Sequence, residues 1–520
     1  MRTELIRMGL VVTLASSVLP LMAQTDGPNL EERLAALERR VEHLERENSD
    51  LRQQVARSLP EQSEPKFARP AEGSTGPSTE LAAYPVTALP AAAASLPAGA
   101  GSAQAAPAPA PQKSSPEQKW SDRFEVGGQV RFRGEVRQNA DLNGTNHDAQ
   151  DFVLQRIRFH VRAKLGNNVE TYVQFQDSRL WGQEASTTSN DNLVDLHQAY
   201  VHANDFLAKG LYVRAGRQEF IYGTERLVGA FGWDNIGRSF DALKMGYNSK
   251  SWGSDWFAAK LVDRNTQARG FDRGQYLYGM YNQFFRQKPQ HLEVYGLLYR
   301  DGMRSTGEIA SAGRNATELM TVGFHSDGAI KPGISYDLEF ADQFGHRGYD
   351  SHSARAFAGK LYKTLEEKHQ FRLGFEYDIA TGDSNPTDGR SGEFFNLFPT
   401  NHPHYGYADL MGWRNMQDFR PMLTFKPVAP VKFDFDYHRF YLLEARGAWK
   451  NAGGVVLGFD PTGQSGTHVG DEVDFTVAFP IQKHLKMLTG YSIFFPGEFA
   501  QQTRGTDNQH FFYLQTQVDF

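Results

Sequence analysis

Seven basic residues in two short stretches share one side of a two-residue alternation. They are Arg131, Arg133 and Arg137 in the first stretch, and Arg156, Arg158, Arg162 and Lys164 in the second. A guanidinium group is planar, permanently charged and able to donate two parallel hydrogen bonds, so it suits carboxylate and phosphate groups. These residues therefore predict the binding of an anion rather than a reaction.

The positions between these basic residues are apolar. Val130, Phe132 and Val136 separate the arginines of the first stretch, and Ile157 and Phe159 separate those of the second. A strand directs successive side chains to opposite faces, so each stretch is predicted to be a strand with one apolar and one charged face. About 18 such strands can be traced, an even number typical of bacterial outer-membrane barrels. They span 124–138, 152–166, 169–177, 193–203, 210–219, 240–249, 255–263, 275–284, 291–300, 317–326, 333–343, 354–363, 369–380, 416–427, 431–443, 469–480, 484–495 and 508–520.

The connections between these strands are of two kinds. Short polar ones at 166–168, 287–289 and 426–430 are predicted to be periplasmic turns. Long ones near 138–151, 177–192, 220–239, 381–415 and 444–468 are predicted to lie at the outer rim. The last strand is amphipathic and ends at Phe520, which resembles the assembly signal of outer-membrane proteins. The predicted fold is therefore an all-β, transmembrane antiparallel barrel with its apolar face in outer-membrane lipid.

The first segment indicates export from the cytoplasm. Arg2 and Arg7 flank the start of an apolar run, and Ala23 offers a small residue for cleavage. We interpret residues 1–23 as a signal peptide, with a retained anchor as the alternative. No later apolar run approaches the roughly 20 residues that a membrane helix needs, so a closed barrel is the way left to enter a membrane. We expect the protein in the bacterial outer membrane, with its amino-terminal extension in the periplasm.

Residues 28–58 carry a heptad pattern. Leucines fill the d positions, and the g and following e positions of a parallel neighbour are opposite in sign throughout. This pattern predicts a coiled-coil helix and parallel self-association through residues 30–55. The helix serves either as an oligomerisation handle or as a periplasmic dock for a partner or peptidoglycan. Residues 59–119 are rich in Pro and Ala and are predicted to be a disordered linker, so the barrel should occupy residues 120–520.

Further residues extend the predicted lining of the lumen. They are Arg214, Arg217, Arg372, Arg420, Lys432 and His438. Like charges on neighbouring strands repel, so carboxylates or a mobile anion must offset them. One interpretation is a lumen held rigid by ion pairs. Its carboxylate partners would be Glu125, Glu135 and Glu170, with inward Glu376, Asp434, Glu472 and Asp474 on other strands. The other is a basic track that concentrates and conducts an anionic solute.

Other classes of function find little support in the sequence. The chain has no cysteine, which excludes disulfides and thiolate sites, and its net charge of -6 is mild. Its Ser, His and Asp residues show no spacing typical of a nucleophile or a metal helix. His402, His404 and Asp409 could bind a metal, although a loop with two histidines around Pro403 is more often only a loop. We therefore expect no enzyme activity, no metal, no cofactor and no nucleic-acid partner.

Several motifs resemble the alginate export family of outer-membrane proteins. They are residues 215–229, 232–235, 237–242, 398–402, 405–409, 413–415, 470–474 and 490–494. The resemblance spans essentially all of residues 124–520. It implies an 18-stranded monomeric barrel with an arginine-rich lumen that passes a polyuronate and is gated by loops. It also implies that Arg217, Arg226, Arg238 and Asp241 line the conduit or anchor loops.

Two points remain open at the level of the sequence. The alternative to a role of Arg238 and Asp241 in lining a conduit is an ion pair between the two residues. The amino-terminal extension resembles that of phosphate-type porins, which puts the monomeric state in doubt. The predicted function is an outer-membrane channel for an anionic solute. The solute that we favour is an acidic polysaccharide or oligosaccharide of the alginate type. The alternatives are a general or phosphate-type anion porin, or an anchor between outer membrane and cell wall.

Overall fold

A computed structural model describes residues 123–520, except for 147, 185, 188–193, 263–273 and 303–316. The predicted signal peptide, coiled coil and linker lie outside the described residues.

Within the part of the chain that the structure describes, eighteen long strands follow one another around a closed antiparallel barrel. Each pairs with the next along the chain, and the last pairs with the first. The strands are β1 (Phe124–Gln138), β2 (Gln150–Lys164), β3 (Val169–Leu180), β4 (Asp195–Asn204), β5 (Leu211–Gln218), β6 (Phe240–Asn248), β7 (Trp252–Val262), β8 (Gln275–Phe284), β9 (Gln290–Asp301), β10 (Thr317–Lys331), β11 (Ile334–Arg347), β12 (Asp350–Glu366), β13 (Phe371–Ala380), β15 (Met416–Phe425), β16 (Lys432–Tyr441), β19 (His468–Pro480), β20 (Leu485–Pro496) and β21 (Gln509–Asp519). All 18 predicted strands are confirmed.

Short elements lie within the long connections. They are β14 (Arg390–Ser391), β17 (Trp449–Lys450), β18 (Val456–Gly458) and the helix α1 (Glu498–Thr503). In the described part of the chain, no helix is long and apolar enough to cross a membrane.

The chain terminus closes the barrel. The amide N–H of Gly128 donates to the carbonyl oxygen of Phe520 at 2.9 Å, and the amide of Phe520 donates back to Gly128 at 3.0 Å. A Cβ on Gly128 would lie 2.5 Å from the carbonyl oxygen of Arg158 and 2.5 Å from the ring of Phe520. The glycine therefore makes room for Phe520. Among the described strands, the closed ladder leaves no edge whose unpaired backbone groups would face lipid.

The two faces of the strands differ as the alternation predicts. On β1, Val126 is 58% exposed, whereas Arg131 is 2% exposed. On β2, Phe159 is exposed and Arg156 is buried. The exposed apolar face is the one that hydrocarbon would cover, and the charged face turns toward the bore.

The two rims of the barrel carry different connections. At one rim, every connection is a turn of six residues or fewer. These turns link β2 to β3, β4 to β5, β6 to β7, β8 to β9, β10 to β11, β12 to β13, β15 to β16 and β19 to β20. Most connections at the other rim are long, and only residues 348–349, between β11 and β12, form a short turn there. Both the start of β1 and the end of β21 lie at the short-turn rim.

Candidate functional site: the inner wall and two loops inside the barrel

The inner face of β1 and β2 carries four buried arginines, Arg131, Arg133, Arg156 and Arg158, which we call the arginine wall. Arg131 lies directly opposite Arg156 in the strand register. All four side chains are at least nine-tenths buried. Unsolvated like charges at this spacing repel strongly, so the wall needs compensating groups.

Backbone carbonyl oxygens of the connection between β5 and β6 supply much of that compensation. We call this connection, residues 219–239, loop A. The carbonyl oxygen of Gly232 accepts from Arg131 at 2.9 Å and from Arg156 at 2.8 Å. The carbonyl oxygen of Asp234 accepts from both arginines at 2.9 Å. The arginine wall therefore forms a socket for loop A.

The other two arginines of the wall hold the same loop. Arg133 donates to the carbonyl oxygen of Trp233 at 2.7 Å, and Arg158 donates to that of Ile236 at 3.0 Å. Each also has a carboxylate partner: Glu135 lies 2.6 Å from Arg133, and Glu219 lies 3.3 Å from Arg158. A hydrogen bond from a charged donor contributes roughly 1.5–3 kcal/mol, which is more than a neutral one contributes. The docked loop is therefore held firmly.

Loop A is also fixed to a distant part of the wall. Arg226, which is 1% exposed, forms ion pairs with Glu376 and Asp378 of β13 and lies 3.9 Å from Glu339 of β11. Its Nη1 also donates to the Tyr405 hydroxyl at 2.6 Å. In strand order, β11 lies about half a turn around the barrel from β1 and β2. Loop A therefore crosses the bore.

The connection between β13 and β15, residues 381–415, enters the bore as well, and we call it loop B. The amide of Gly229 donates to Phe398 at 2.9 Å, and the amide of Phe398 donates to Leu227 at 2.8 Å. The Arg238 guanidinium donates to the carbonyl oxygens of Gly229, Phe398 and Pro399. Burial lowers the pKa of Arg238 to about 10, which leaves it charged at neutral pH. The two loops therefore support each other.

Aromatic rings fill the junction between loops A and B and the arginine wall. Trp233, which is fully buried, stacks on His402 with ring centroids 4.7 Å apart and meets Tyr513 of β21 edge-on at 4.9 Å. The Arg133 guanidinium lies 3.8 Å from the centre of the Trp233 ring. This cation–π contact stabilises the charge of Arg133 at the face of its guanidinium group, whereas the carbonyl oxygen of Trp233 accepts a hydrogen bond from one of its N–H groups.

The two histidines of loop B act as internal hydrogen-bonding groups. His402 lies 3.2 Å from Asp409, and His404 contacts the carbonyl oxygen of Thr224 in loop A at 2.8 Å. Burial lowers the pKa of both imidazoles well below the usual value, with Arg133 adding to the effect at His402 and Arg226 at His404. Among the described residues, no group of three or more side chains could hold a metal ion.

Arg217 and Asp241 are not in the lumen, and this part of the prediction is wrong. They pair with each other at 3.4 Å, and Asp241 is exposed together with Leu243 and Met245 on the outer face of β6. Arg217 is three residues from Arg214, so alternation forces the two side chains to opposite faces of β5. The alternative pairing of Arg238 with Asp241 is also wrong, because Arg238 binds loop carbonyl oxygens.

The other predicted lining residues fall into two groups. Several anchor loops or neighbouring strands. Arg137 donates to the carbonyl oxygen of Ala408, and Arg420 binds Glu376, Asp436 and the carbonyl oxygen of Pro403. His438 lies 2.6 Å from Asp418. Closer to the short-turn rim, Arg162 pairs with Glu125 and Glu170, Lys432 pairs with Asp434, and Lys164 is exposed. Arg214 and Arg372 are half-buried on the inner face.

An acidic part of the inner wall holds the loops, and the sequence predicted some of its residues only as inward partners of the arginines. It comprises Glu339, Glu376, Asp378, Asp418, Glu472 and Asp474, which are all buried. Alternation alone places these residues inward, but the role of Glu339, Glu376 and Asp378 depends on Arg226, a loop residue that only the family resemblance singled out. The amide of Ala408 donates to Glu472 at 2.7 Å, so this part of the wall holds loop B too.

Comparisons with known proteins agree with this architecture. The model of the family described as "Alginate export" matches residues 122–513. Among solved structures, OccAB3 of Acinetobacter baumannii is similar at 11% identity with a TM-score of 0.52, covering 76% of this chain and 100% of that chain. OccK11 (OpdR) of Pseudomonas aeruginosa is similar at 11% identity with a TM-score of 0.50, covering 76% of this chain and 96% of that chain. At this identity the structural likeness shows the fold alone. No curated protein sequence matches the chain. Because the family match covers most of the chain and the fold is a closed 18-stranded barrel, this protein belongs to the alginate export family and is an outer-membrane channel.

Proposed function

We propose that this channel passes an acidic polysaccharide or oligosaccharide of the alginate type. The family match over residues 122–513 is the observation that carries the proposal. Basic side chains on the inner face, among them Arg214 and Arg372, support an anionic solute. Guanidinium groups replace part of the hydration of a carboxylate, so they lower the free-energy cost of bringing it into a narrow bore.

The two loops inside the barrel define the path that such a solute takes. Loop A crosses from the arginine wall to Glu376 and Asp378, and loop B packs against it at Phe398. A flexible polymer chain would pass beside these loops or displace one of them, whereas a bulky folded solute would not. We infer that the loops select for an extended chain and gate its movement, because their anchors are polar contacts that an anionic solute can compete for.

The amino-terminal extension adds a second part to the proposal. We propose that the amino-terminal extension, with residues 28–58, lies in the periplasm. The heptad pattern would join copies of the chain in parallel there, or dock a periplasmic partner or peptidoglycan. Cross-linking of a peptide of residues 28–58 tests self-association, and a monomer at high concentration would contradict it.

Planar-bilayer recordings of the purified full-length chain test the transport proposal. We expect a reversal potential that indicates anion preference, and reversible block of the current by a mannuronate oligomer at lower concentration than by inorganic phosphate. Block by phosphate at the lower concentration would favour a phosphate-type porin instead. A barrel that inserts but carries no current would favour the structural anchor. Recovery of the oligomer with unchanged mass is expected of a channel that catalyses no reaction.

A further inference from the structure

Two arginines on the inner face share an unusual arrangement. The Cζ atom of Arg214 on β5 lies 4.5 Å from the centre of the Tyr200 ring, and that of Arg372 on β13 lies 4.5 Å from the centre of the Tyr362 ring. Both guanidinium groups are half-buried. In each case a tyrosine on the neighbouring strand supports one face of the planar cation.

Neither arginine forms an ion pair with a carboxylate of the described residues. The Nε of Arg214 contacts His202 Nδ1 at 3.4 Å, and Nη2 of Arg372 donates to the Ser335 hydroxyl at 3.3 Å. The Nε of Arg372 is buried and has no hydrogen-bond partner among the described residues. Each of these two cations therefore retains N–H groups that no hydrogen bond to a described residue uses.

Arg162 and the arginine wall differ from these two residues, because their charges already have partners. Arg162 also lies over a tyrosine, Tyr172, but Glu125 and Glu170 neutralise it. The arginine wall is occupied by the carbonyl oxygens of loop A. An entering anion would have to displace existing partners at these positions, whereas Arg214 and Arg372 are open to it.

The two arginines also lie where they can act together. Each is close to the short-turn end of its strand: Arg214 is in the first half of β5, and Arg372 is the second residue of β13. In strand order, β5 and β13 are nearly half a turn apart around the barrel. The side chains therefore project into the bore from almost opposite walls, nearer the short-turn rim than the arginine wall.

We propose that Arg214 and Arg372, each supported by its tyrosine, form a binding site for carboxylate groups of the transported chain. This assignment rests on the proposed function and specifies where the solute is recognised. The tyrosine ring fixes the plane of each guanidinium group, which leaves the N–H edge free for two parallel hydrogen bonds to one carboxylate. A site on two facing walls favours a solute that carries repeated carboxylates.

The test measures block of single-channel current by a mannuronate oligomer. We expect R214Q and R372Q each to raise the half-blocking concentration about tenfold, because each loses a charged two-point contact, and the double variant to raise it further. The matched control is R355Q, since Arg355 is an exposed arginine that pairs with Asp342 away from the bore. Y200F and Y362F retain the ring, so the oligomer should block them at the same concentration as the wild type. Y200L and Y362L lose the ring, so their half-blocking concentration should be higher.

The possible results separate this assignment from the transport proposal. If the oligomer blocks the wild type and R214Q/R372Q to the same degree, the binding site is wrong while the channel proposal stands. If the oligomer does not block the wild type at all, the transport proposal fails. If block by inorganic phosphate is stronger and depends on both arginines, the assignment to carboxylates is wrong. Should a glutamine variant fail to fold, R214K and R372K keep the charge without the planar fork, and they should still bind the oligomer more weakly.

Discussion

Arg131 and Arg156 lie directly opposite each other on neighbouring strands, and both donate to the same two carbonyl oxygens, those of Gly232 and Asp234. Two like charges are thus bridged by the negative ends of two backbone dipoles. The arrangement explains how the wall tolerates the pair, and it makes the docking of loop A depend on both residues.

Replacing both arginines should release loop A. In R131Q/R156Q, amide hydrogen exchange across residues 230–238 should be about tenfold faster or more, since several charged hydrogen bonds are lost. Hydrogen-exchange mass spectrometry measures this. The control is R355Q/R439Q, which removes the same charge from exposed side chains. Equal exchange in the two variants would show that the wall does not hold the loop.

Removing the charge of Arg226, at the opposite end of loop A, should lower the free energy of unfolding of the barrel. R226M leaves Glu376 and Asp378 buried without their loop partner, and breaking such a pair costs roughly 3–5 kcal/mol. Urea unfolding in detergent, followed by circular dichroism, measures the loss. The double variant R226M/D378N should lose less than the sum of the two single variants. Strict additivity of the two effects would contradict direct pairing.

The closing seam should be sensitive to a single methyl group. A Cβ on Gly128 would meet the Arg158 carbonyl oxygen at 2.5 Å, and backbone atoms in a ladder cannot move aside cheaply. We expect G128A to lower the folded fraction after refolding into detergent, seen as a loss of the heat-modifiable band on a gel. Gly134 lies on the same strand, and a Cβ there would have no heavy atom within 4 Å. G134A should therefore refold like wild type. Equal refolded fractions for G128A and G134A would show that crowding at Gly128 does not limit closure of the barrel.

The contact between loops A and B should weaken in acid through His404. Its pKa is lowered by burial, so the docked state favours the neutral imidazole, and stability present above the usual pKa of about 6.5 is lost as the pH falls below it. Asp409, whose pKa burial raises, acts in the opposite direction. The informative quantity is therefore the difference between wild type and H404Q.

That difference can be read from hydrogen exchange in residues 398–406 at pH 7.5 and pH 5.5, corrected for intrinsic rates. The acid-induced increase should be larger in wild type than in H404Q, whose amide can still donate to the carbonyl oxygen of Thr224. An identical pH dependence would mean that His404 does not carry the effect.

The sequence was sufficient to predict the strands and most of their faces. Alternation of Val126, Phe132 and Phe159 with Arg131 and Arg156 reflects a backbone rule that needs no tertiary information. The same rule, applied strictly, separates Arg217 from Arg214, so that error came from disregarding the alternation rather than from a missing signal. The closeness of the arginines of β1 to those of β2 also followed, because consecutive strands of such a barrel are antiparallel neighbours. That Arg131 lies directly opposite Arg156 was decided by the strand register of the structure.

Only the tertiary structure decided what the inward side chains bind. Nothing in the alternation shows that loop A, which begins five strands along the chain, returns to present carbonyl oxygens 232–236 to β1 and β2. Nor does it show that Arg226 reaches Glu376 across 150 residues. A strand's faces follow from local backbone geometry, whereas the partner of a buried charge is set by the free energy of desolvation, which depends on every segment that folds into the bore.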